Sequence, residues 1–318
     1  MRLVFMGSAD FGVPALHALA GRHDVAAVVT RKDAEKGRGR RLAPTPVKET
    51  AISLGIPVLQ PGSLRDPSFL RELSAFRAEL FYVVAFRILP PEVFTIPPHG
   101  TVNLHASLLP DYRGAAPINW AVVNGETETG LTTFFIDKNI DTGDIIFQEH
   151  IAIDPDETAG ELYERMKPLG ADLSLRTLDV IADGVVKSTA QPGVDTAQRI
   201  LHAAPKLSKD DGRIDWNRPA LDVHNRVRGM NPYPGSFAEW SGGVLKIRRT
   251  EVADGDWSDQ PGTVCDVSPR EGITVACGDG AVRLVEVQPP GKRPMGGAEF
   301  VRGYPVTAGQ PLSGKGHV

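Results

Sequence analysis

Asn103 and His105 stand two apart in the segment VNLHASLLPDYRGAAPINW (102–120). On a strand that spacing points both side chains to one face. The apolar run ends near Ser107, and open α/β sheets bind ligands at the carboxyl ends of their strands. There an amide N–H can donate to an oxygen that gains negative charge. An imidazole, with an ordinary pKa near ~6.5, can move a proton at neutral pH. A second polar segment, IDKNIDTGDIIF (136–147), sets Asp137, Asp141 and Asp144 between two apolar runs. It lacks the spacing and terminal Glu of a calcium-binding EF-hand. One of its carboxylates, leaning on His105, would orient the ring and hold a water or a substrate amine. The residues alone equally allow a core histidine and an Asp-rich turn.

The elements that must position these groups alternate strand and helix over the first ~180 residues. RLVFMG (2–7), DVAAVVT (24–30), IPVLQP (56–61), AELFYVVAF (78–86) and HGTVNLHAS (99–107) read as strands. VPALHALAG (13–21), PVKETAISLG (46–55), SFLRELSAFR (68–77) and APINWAVVNG (116–125) carry helical spacing, and 158–184 carries the longest helical pattern. This alternation predicts a Rossmann-like open, mostly parallel sheet with helices on both faces. GLTTFFI (130–136) and IIFQEHIAI (145–153) are close enough in sequence to pair antiparallel at one edge. Beyond residue 209 the style changes to short strands at roughly ten-residue spacing with Gly-rich turns, the pattern of a small antiparallel β-barrel, OB-like in size. The expected division is a catalytic domain over 1–186, a linker over 187–208 and a barrel over 209–318.

Composition excludes several function classes. With 41% hydrophobic and 23% charged residues the chain is an ordinary globular protein, long enough at 318 residues for two cores. No apolar run reaches the ~20 residues of a membrane span. The N-terminal apolar stretch is too short for a signal peptide, so a cytoplasmic location is expected. Cys265 and Cys277 make neither a disulfide framework nor a usual zinc site, so no metal is expected. The turn GSADFG (7–12) lacks the G-x-G-x-x-G spacing, and Arg31 and Lys32 follow the second strand where a dinucleotide site needs an acid.

The block NLHASLLPDYRGAAPINW, with IDTGDII, closely resembles the 10-formyltetrahydrofolate-dependent formyltransferases. The match extends to FMGSADFGVPALHAL at the start, to GRGRRLAPTPVK, and to KLSKDDGRIDW and NPYPGSFAEW, which open the second part. The last three are similar to the branch of the family that acts on aminoacyl-tRNA. The resemblance implies Asn103, His105 and Asp141 as the catalytic set. It implies folate contacts at Phe86, Arg87, Ile88 and Leu89, at Ser107, Leu108, Leu109 and Pro110, and at Asp137 and Ile140. Many members of that branch show Ala-Tyr-Gly before the ILP, where this chain has AFRILP (85–90). The reaction implied is transfer of the formyl group of 10-formyltetrahydrofolate to the α-amine of methionine on charged initiator tRNA. The product would be N-formylmethionyl-tRNA for translation initiation. No metal, covalent enzyme intermediate or membrane is involved, and a monomer is expected.

A net charge of −4 does not attract nucleic acid, so a local patch must hold the tRNA. The stretch 31–48, RKDAEKGRGRRLAPTPVK, carries seven Lys and Arg against two acids. Gly37 and Gly39 space Arg38, Arg40 and Arg41 on what reads as a flexible loop, and guanidinium pairs bidentately with phosphate. Charge runs are usually solvated faces; the resemblance assigns this one to the tRNA acceptor stem. Lys206 and Lys209 in the linker, and Arg226, Arg228, Lys246, Arg248 and Arg249 beyond it, are further candidate phosphate contacts. The alternatives are a formyltransferase acting on an amino sugar nucleotide or glycinamide ribonucleotide, a formyltetrahydrofolate hydrolase, and a non-catalytic tRNA-binding protein.

Overall fold

The computed structural model describes residues 1–36, 41–191 and 201–313. In chain order the first elements are β1 (Arg2–Gly7), α1 (Val13–Arg22), β2 (Asp24–Val29), β3 (Ala34–Lys36), β4 (Arg41–Ala43), α2 (Pro46–Ser53), β5 (Val58–Leu59) and α3 (Pro67–Ala75). There follow β6 (Leu80–Val84), α4 (Pro91–Phe94), β7 (Thr101–His105), β8 (Arg113–Gly114), α5 (Pro117–Val123), β9 (Glu128–Phe135), β10 (Ile145–Ala152) and α6 (Ala159–Ala182). Local chemistry starts the helices. The Thr45 hydroxyl accepts from the Lys48 N–H at 3.1 Å ahead of Pro46, and the Asp66 carboxylate accepts from the Ser68 N–H at 2.9 Å ahead of Pro67.

These elements build a seven-stranded sheet in the order β10-β9-β7-β6-β1-β2-β5. β7, β6, β1, β2 and β5 run parallel. β9 runs antiparallel to β7. β10 reverses again, since the Phe135 N–H donates to the Asp144 carbonyl while Gly130 faces the Glu149 carbonyl. The open α/β sheet expected from the alternation, with its antiparallel edge, is therefore present. Side chains divide by the period of two. Val4, Met6, Ala27, Val29, Phe81 and Val83 pack with Phe69 and Leu73 of α3 and Val93 of α4. On the other face Phe5 stacks on Tyr82, whose hydroxyl donates to Ser174 Oγ of α6 at 2.8 Å.

The basic stretch is framed by structure rather than being a bare loop. β3 and β4 pair antiparallel, with Ala34 opposite Ala43 and Lys36 opposite Arg41. Arg38 and Arg40 lie outside the described residues, as does the side chain of Arg41. Residues 192–200 of the expected linker also lie outside them. Its first residues are not free chain: Thr189 exchanges two backbone hydrogen bonds of 2.8 Å with Ile145.

The remaining elements are β11 (Ala203–Ala204), α7 (Ala220–Gly229), β12 (Ser236–Trp240), β13 (Gly243–Ala253), β14 (Val264–Ser268), β15 (Gly272–Ala276), β16 (Ala281–Gln288), β17 (Met295–Gly296) and α8 (Gly297–Gly303). They form an antiparallel sheet in the order β12-β13-β16-β15-β14, with β17 on β16. Residues 310–313 join its two edges. The Leu312 N–H donates to the Gly262 carbonyl and Val264 donates to Gln310, while Ser313 and Glu239 exchange two bonds. That closure makes the sheet the expected barrel. Trp216, Leu245, Ile247, Val275, Val282 and Phe300 fill its core.

By internal contacts the chain has two compact units: 1–114 with 129–151 and 163–203, and 115–128 with 152–162 and 204–318. Within the second unit α7 explains why residues 152–162 belong there. The Arg228 guanidinium is buried and donates to Asn225 Oδ1 at 2.8 Å and to the carbonyls of Glu157 and Asp154 at 3.2 and 3.4 Å. His224 Nε2 meets the Pro155 carbonyl at 3.3 Å.

Candidate active site

The chain runs outward from β1 to β2 and β5, then returns to place β6 on the other side of β1. That reversal is the switch point where open α/β sheets form their ligand crevice. β6 and β7 end there side by side, with Val83 opposite Asn103. Asn103 and His105 share a face of β7 that is not wholly covered, Asn103 being partly exposed, while Leu104 between them turns into the core. The sequence spacing thus delivers both groups to the strand end, as the alternation requires.

His105 is buried, and its Nε2 lies 2.9 Å from the Tyr112 carbonyl oxygen. A carbonyl only accepts, so Nε2 carries a proton and donates. Nδ1 is left as the nitrogen that gains or loses a proton. Tyr112 holds its carbonyl there from a left-handed backbone, φ 58°. Facing Nδ1 is Asp141, with Oδ2 at 3.8 Å, ion-pair range once the ring is protonated but too long for a hydrogen bond.

Asp141 is itself held in the left-handed region at φ 55°. Its Oδ2 accepts from the Gly114 N–H at 2.9 Å. The Gln191 side-chain amide donates to the Asp141 carbonyl at 3.1 Å and to the Gly143 carbonyl at 2.8 Å. Arg113 in turn donates to Gln191 Oε1 at 2.6 Å. Gly143 has no room for a side chain, since a Cβ there would stand 1.6 Å from the Phe135 carbonyl oxygen. The other two aspartates do different work. Asp137 accepts from the Asn139 N–H at 2.9 Å and the Thr142 hydroxyl at 2.7 Å, closing its own turn. Asp144 is exposed, 3.5 Å from the Ser188 hydroxyl.

Two segments flank this centre. In 107–110 the Ser107 hydroxyl donates to the Asp111 carbonyl at 2.6 Å. Thr132, opposite His105 in register, donates to the Ser107 carbonyl at 2.6 Å and accepts from the Leu109 N–H at 3.2 Å and Gln148 Nε2 at 3.1 Å. Sequence reading missed Thr132, Gln148, Arg113 and Gln191. The first pair sits in ordinary strand sequence, and Gln191 falls in what reads as linker. In the segment after β6, Arg87 donates to the Pro61 carbonyl at 3.2 Å and lies over the Phe86 ring at 5.3 Å.

The side chains of Leu89, Ser107 and Leu109 are buried in protein, whereas Ile88 is 74% and Ile140 54% exposed. Among the described residues, the backbone of Phe86, Arg87, Ile88 and Leu89 makes no main-chain hydrogen bond. A strip of unpaired N–H and C=O groups that carries the exposed Ile88 suits a flat heterocycle with donors and acceptors along one edge. The residues present fit a pterin ring on that ground.

The candidate phosphate contacts separate. Lys206, Lys209 and Lys246 are exposed. Arg228 is a buried structural group, contrary to its sequence-based expectation. Arg249 pairs with Glu161, Arg248 donates to Gln288 at 3.0 Å, and Arg226 lies over the Trp120 ring at 5.8 Å. Lys48 of the basic stretch is bound to Asp33 at 2.8 Å. Among the described residues no group of three or more His, Cys, Asp or Glu could hold a metal. Burial pushes the Cys265 thiol up to about 11 and Cys277 to about 12, so neither is a thiolate at neutral pH.

Comparison with known proteins gives this site a context. The formyl transferase profile matches residues 1–178, and the profile of the formyl transferase C-terminal domain matches 206–305. A methionyl-tRNA formyltransferase of Pelotomaculum thermopropionicum is 45% identical over 312 residues, 97% of each chain. Another, of Moorella thermoacetica, is 45% identical over 314 residues, 98% of this chain and 99% of that one. Among solved structures, a sugar 3N-formyltransferase crystallised with dTDP and 5-N-formyl-THF covers 92% of this chain and 99% of its own. Its TM-score is 0.67 and its identity 19%, a likeness of fold.

Proposed function

The chain belongs to the formyl transferase family and, within it, to the methionyl-tRNA formyltransferases; on that premise we propose that it formylates the α-amine of methionine carried by initiator tRNA. The observation that carries the reading is the convergence of Asn103, His105 and Asp141 at one strand end, beside an unpaired backbone strip. The folate supplies a formyl group on N10, whose carbon the methionyl amine attacks. Asn103 donates its amide N–H to the formyl oxygen as negative charge gathers there, a contribution typically worth ~3–4 kcal/mol. His105, its Nε2–H tied to Tyr112, exchanges a proton at Nδ1 and delivers it towards the leaving N10. Asp141 holds the protonated ring and a water that takes the amine proton. The backbone of 86–89, with Leu108, Pro110, Asp137 and Ile140 around it, holds the folate. No metal takes part.

The division we propose is catalytic residues 1–186, a connecting segment over 187–208 and a tRNA-binding barrel over 209–318. Arg38, Arg40, Arg41, Lys206 and Lys209 contact tRNA phosphates. The enzyme acts in the cytoplasm as a monomer. The test is formyl transfer from 10-formyltetrahydrofolate to charged initiator tRNA, with charged elongator methionine tRNA and a dTDP-amino sugar as alternative acceptors. Formylation of initiator methionyl-tRNA alone is expected. Preference for the amino sugar, or hydrolysis without an acceptor, overturns the reading.

A further inference from the structure

We propose that Gln191 is a positioning residue for Asp141. The inference rests on the catalytic role given to Asp141 above. Asp141 gains from outside support, because the left-handed region that it occupies at φ 55° is less favoured than the right-handed one even for Asp, which tolerates it better than most side chains. The side-chain carboxylate is fixed by the Gly114 N–H, and the main chain is fixed by Gln191. The Gln191 oxygen is in turn held by the Arg113 guanidinium at 2.6 Å. Carboxylate and backbone of Asp141 are therefore both referred to the dipeptide Arg113–Gly114. Turning the carboxylate away from His105 Nδ1 means breaking one arm of that closed ring of contacts.

The chemistry of the position is narrow. The amide nitrogen serves two carbonyls, those of Asp141 and Gly143, and the amide oxygen serves one guanidinium. Among side chains of this length only a carboxamide offers two donors and an acceptor together. Glutamate keeps the size and the contact with Arg113 but sets an oxygen against two carbonyl oxygens. The segment is seated independently of Gln191 by the Thr189–Ile145 bridge, so the substitution acts on the turn at Asp141 rather than on the path of the chain.

The test compares the parent protein with Gln191→Glu and Gln191→Ala. Because small misplacements of a catalytic group cost up to ~100-fold, kcat for formyl transfer is expected to fall at least ~10-fold in both. KM for the charged tRNA should stay within about twofold, as none of the proposed tRNA contacts is touched. A second readout needs no turnover: the Gly114 amide, released with the Asp141 carboxylate, should exchange its hydrogen faster in both variants. Parent-like kcat and Gly114 exchange in either folded variant overturn the proposal, as does a loss confined to KM. If the parent transferred formyl to a different acceptor, the reading of function would fail while the Gly114 exchange still decided the role of Gln191.

Discussion

The two sheets of this protein are covered differently. Every residue of β6 is buried, and so are five of the six in β1 and in β2. In β13, by contrast, Leu245 and Ile247 turn inward while Val244 and Lys246 remain in solvent. A sheet wrapped on both faces has only its strand ends and connecting turns to offer, which suits a small planar ligand and a few converging groups. A barrel wall open on one side offers area, which suits a long polyanion. Chemistry and macromolecular recognition are thus expected to be separable by substitution.

The sharpest way to break that separation is at the strand end itself. His105→Ala and Asp141→Ala should each lower kcat by at least ~100-fold. Filter binding of the charged tRNA should be unchanged in both. A parallel loss of tRNA affinity would mean that the strand ends also carry macromolecular recognition. A smaller effect is expected from the triple variant Arg38→Ala, Arg40→Ala and Arg41→Ala. Its plot of log K for tRNA against log salt should be shallower by up to about one unit per lost phosphate contact, with folate affinity unchanged. A salt series giving the parent slope would leave the connecting segment and the barrel to hold the tRNA.

The smallest effect concerns a strand end outside the chemistry. After β1, burial pushes the Asp10 carboxyl up, but hydrogen bonds from Tyr163 at 2.6 Å and Lys167 at 3.1 Å outweigh it and hold it below the ordinary range. A depressed carboxylate stabilises the fold above its unfolded pKa, ~3.9, and ceases to as pH falls through the folded value. Asp10→Asn should therefore be less stable at pH 7 by under ~1 kcal/mol, since the site is half exposed and screened. Urea titrations should show the deficit closing below about pH 4.

The legible part of the site is the part built on periodicity. Asn103 and His105 show in the sequence because a strand repeats every two residues. Among Asp137, Asp141 and Asp144 no spacing chooses: the choice depends on a left-handed backbone and a turn closed by Asp137, and the resemblance supplied it. Gln191 was illegible because two of its contacts are with carbonyls, which every residue possesses, and the third is with Arg113, 78 residues away in sequence. The parallel sheet, its antiparallel edge and the barrel strands follow the hydrophobic pattern. Helix α7 escaped because its buried face includes His224, Asn225 and Arg228, which hydropathy reads as surface. The strand pair β3–β4 escaped because glycines and charges dominate its neighbourhood.

Gly143 carries a consequence for how such a site can diversify. With a Cβ excluded by the Phe135 carbonyl, and with Phe135 bonded to Asp144, the base of the turn between β9 and β10 tolerates neither bulk nor slippage. The far end of the same turn is unconstrained in that way: Lys138, Asn139 and Ile140 are all exposed. One short excursion of chain therefore joins a sterically closed stem to a solvent-exposed tip, with the Asp141 carboxylate at their junction. Substitution at the exposed Lys138 or Asn139 is therefore expected to leave the placement of the Asp141 carboxylate unchanged.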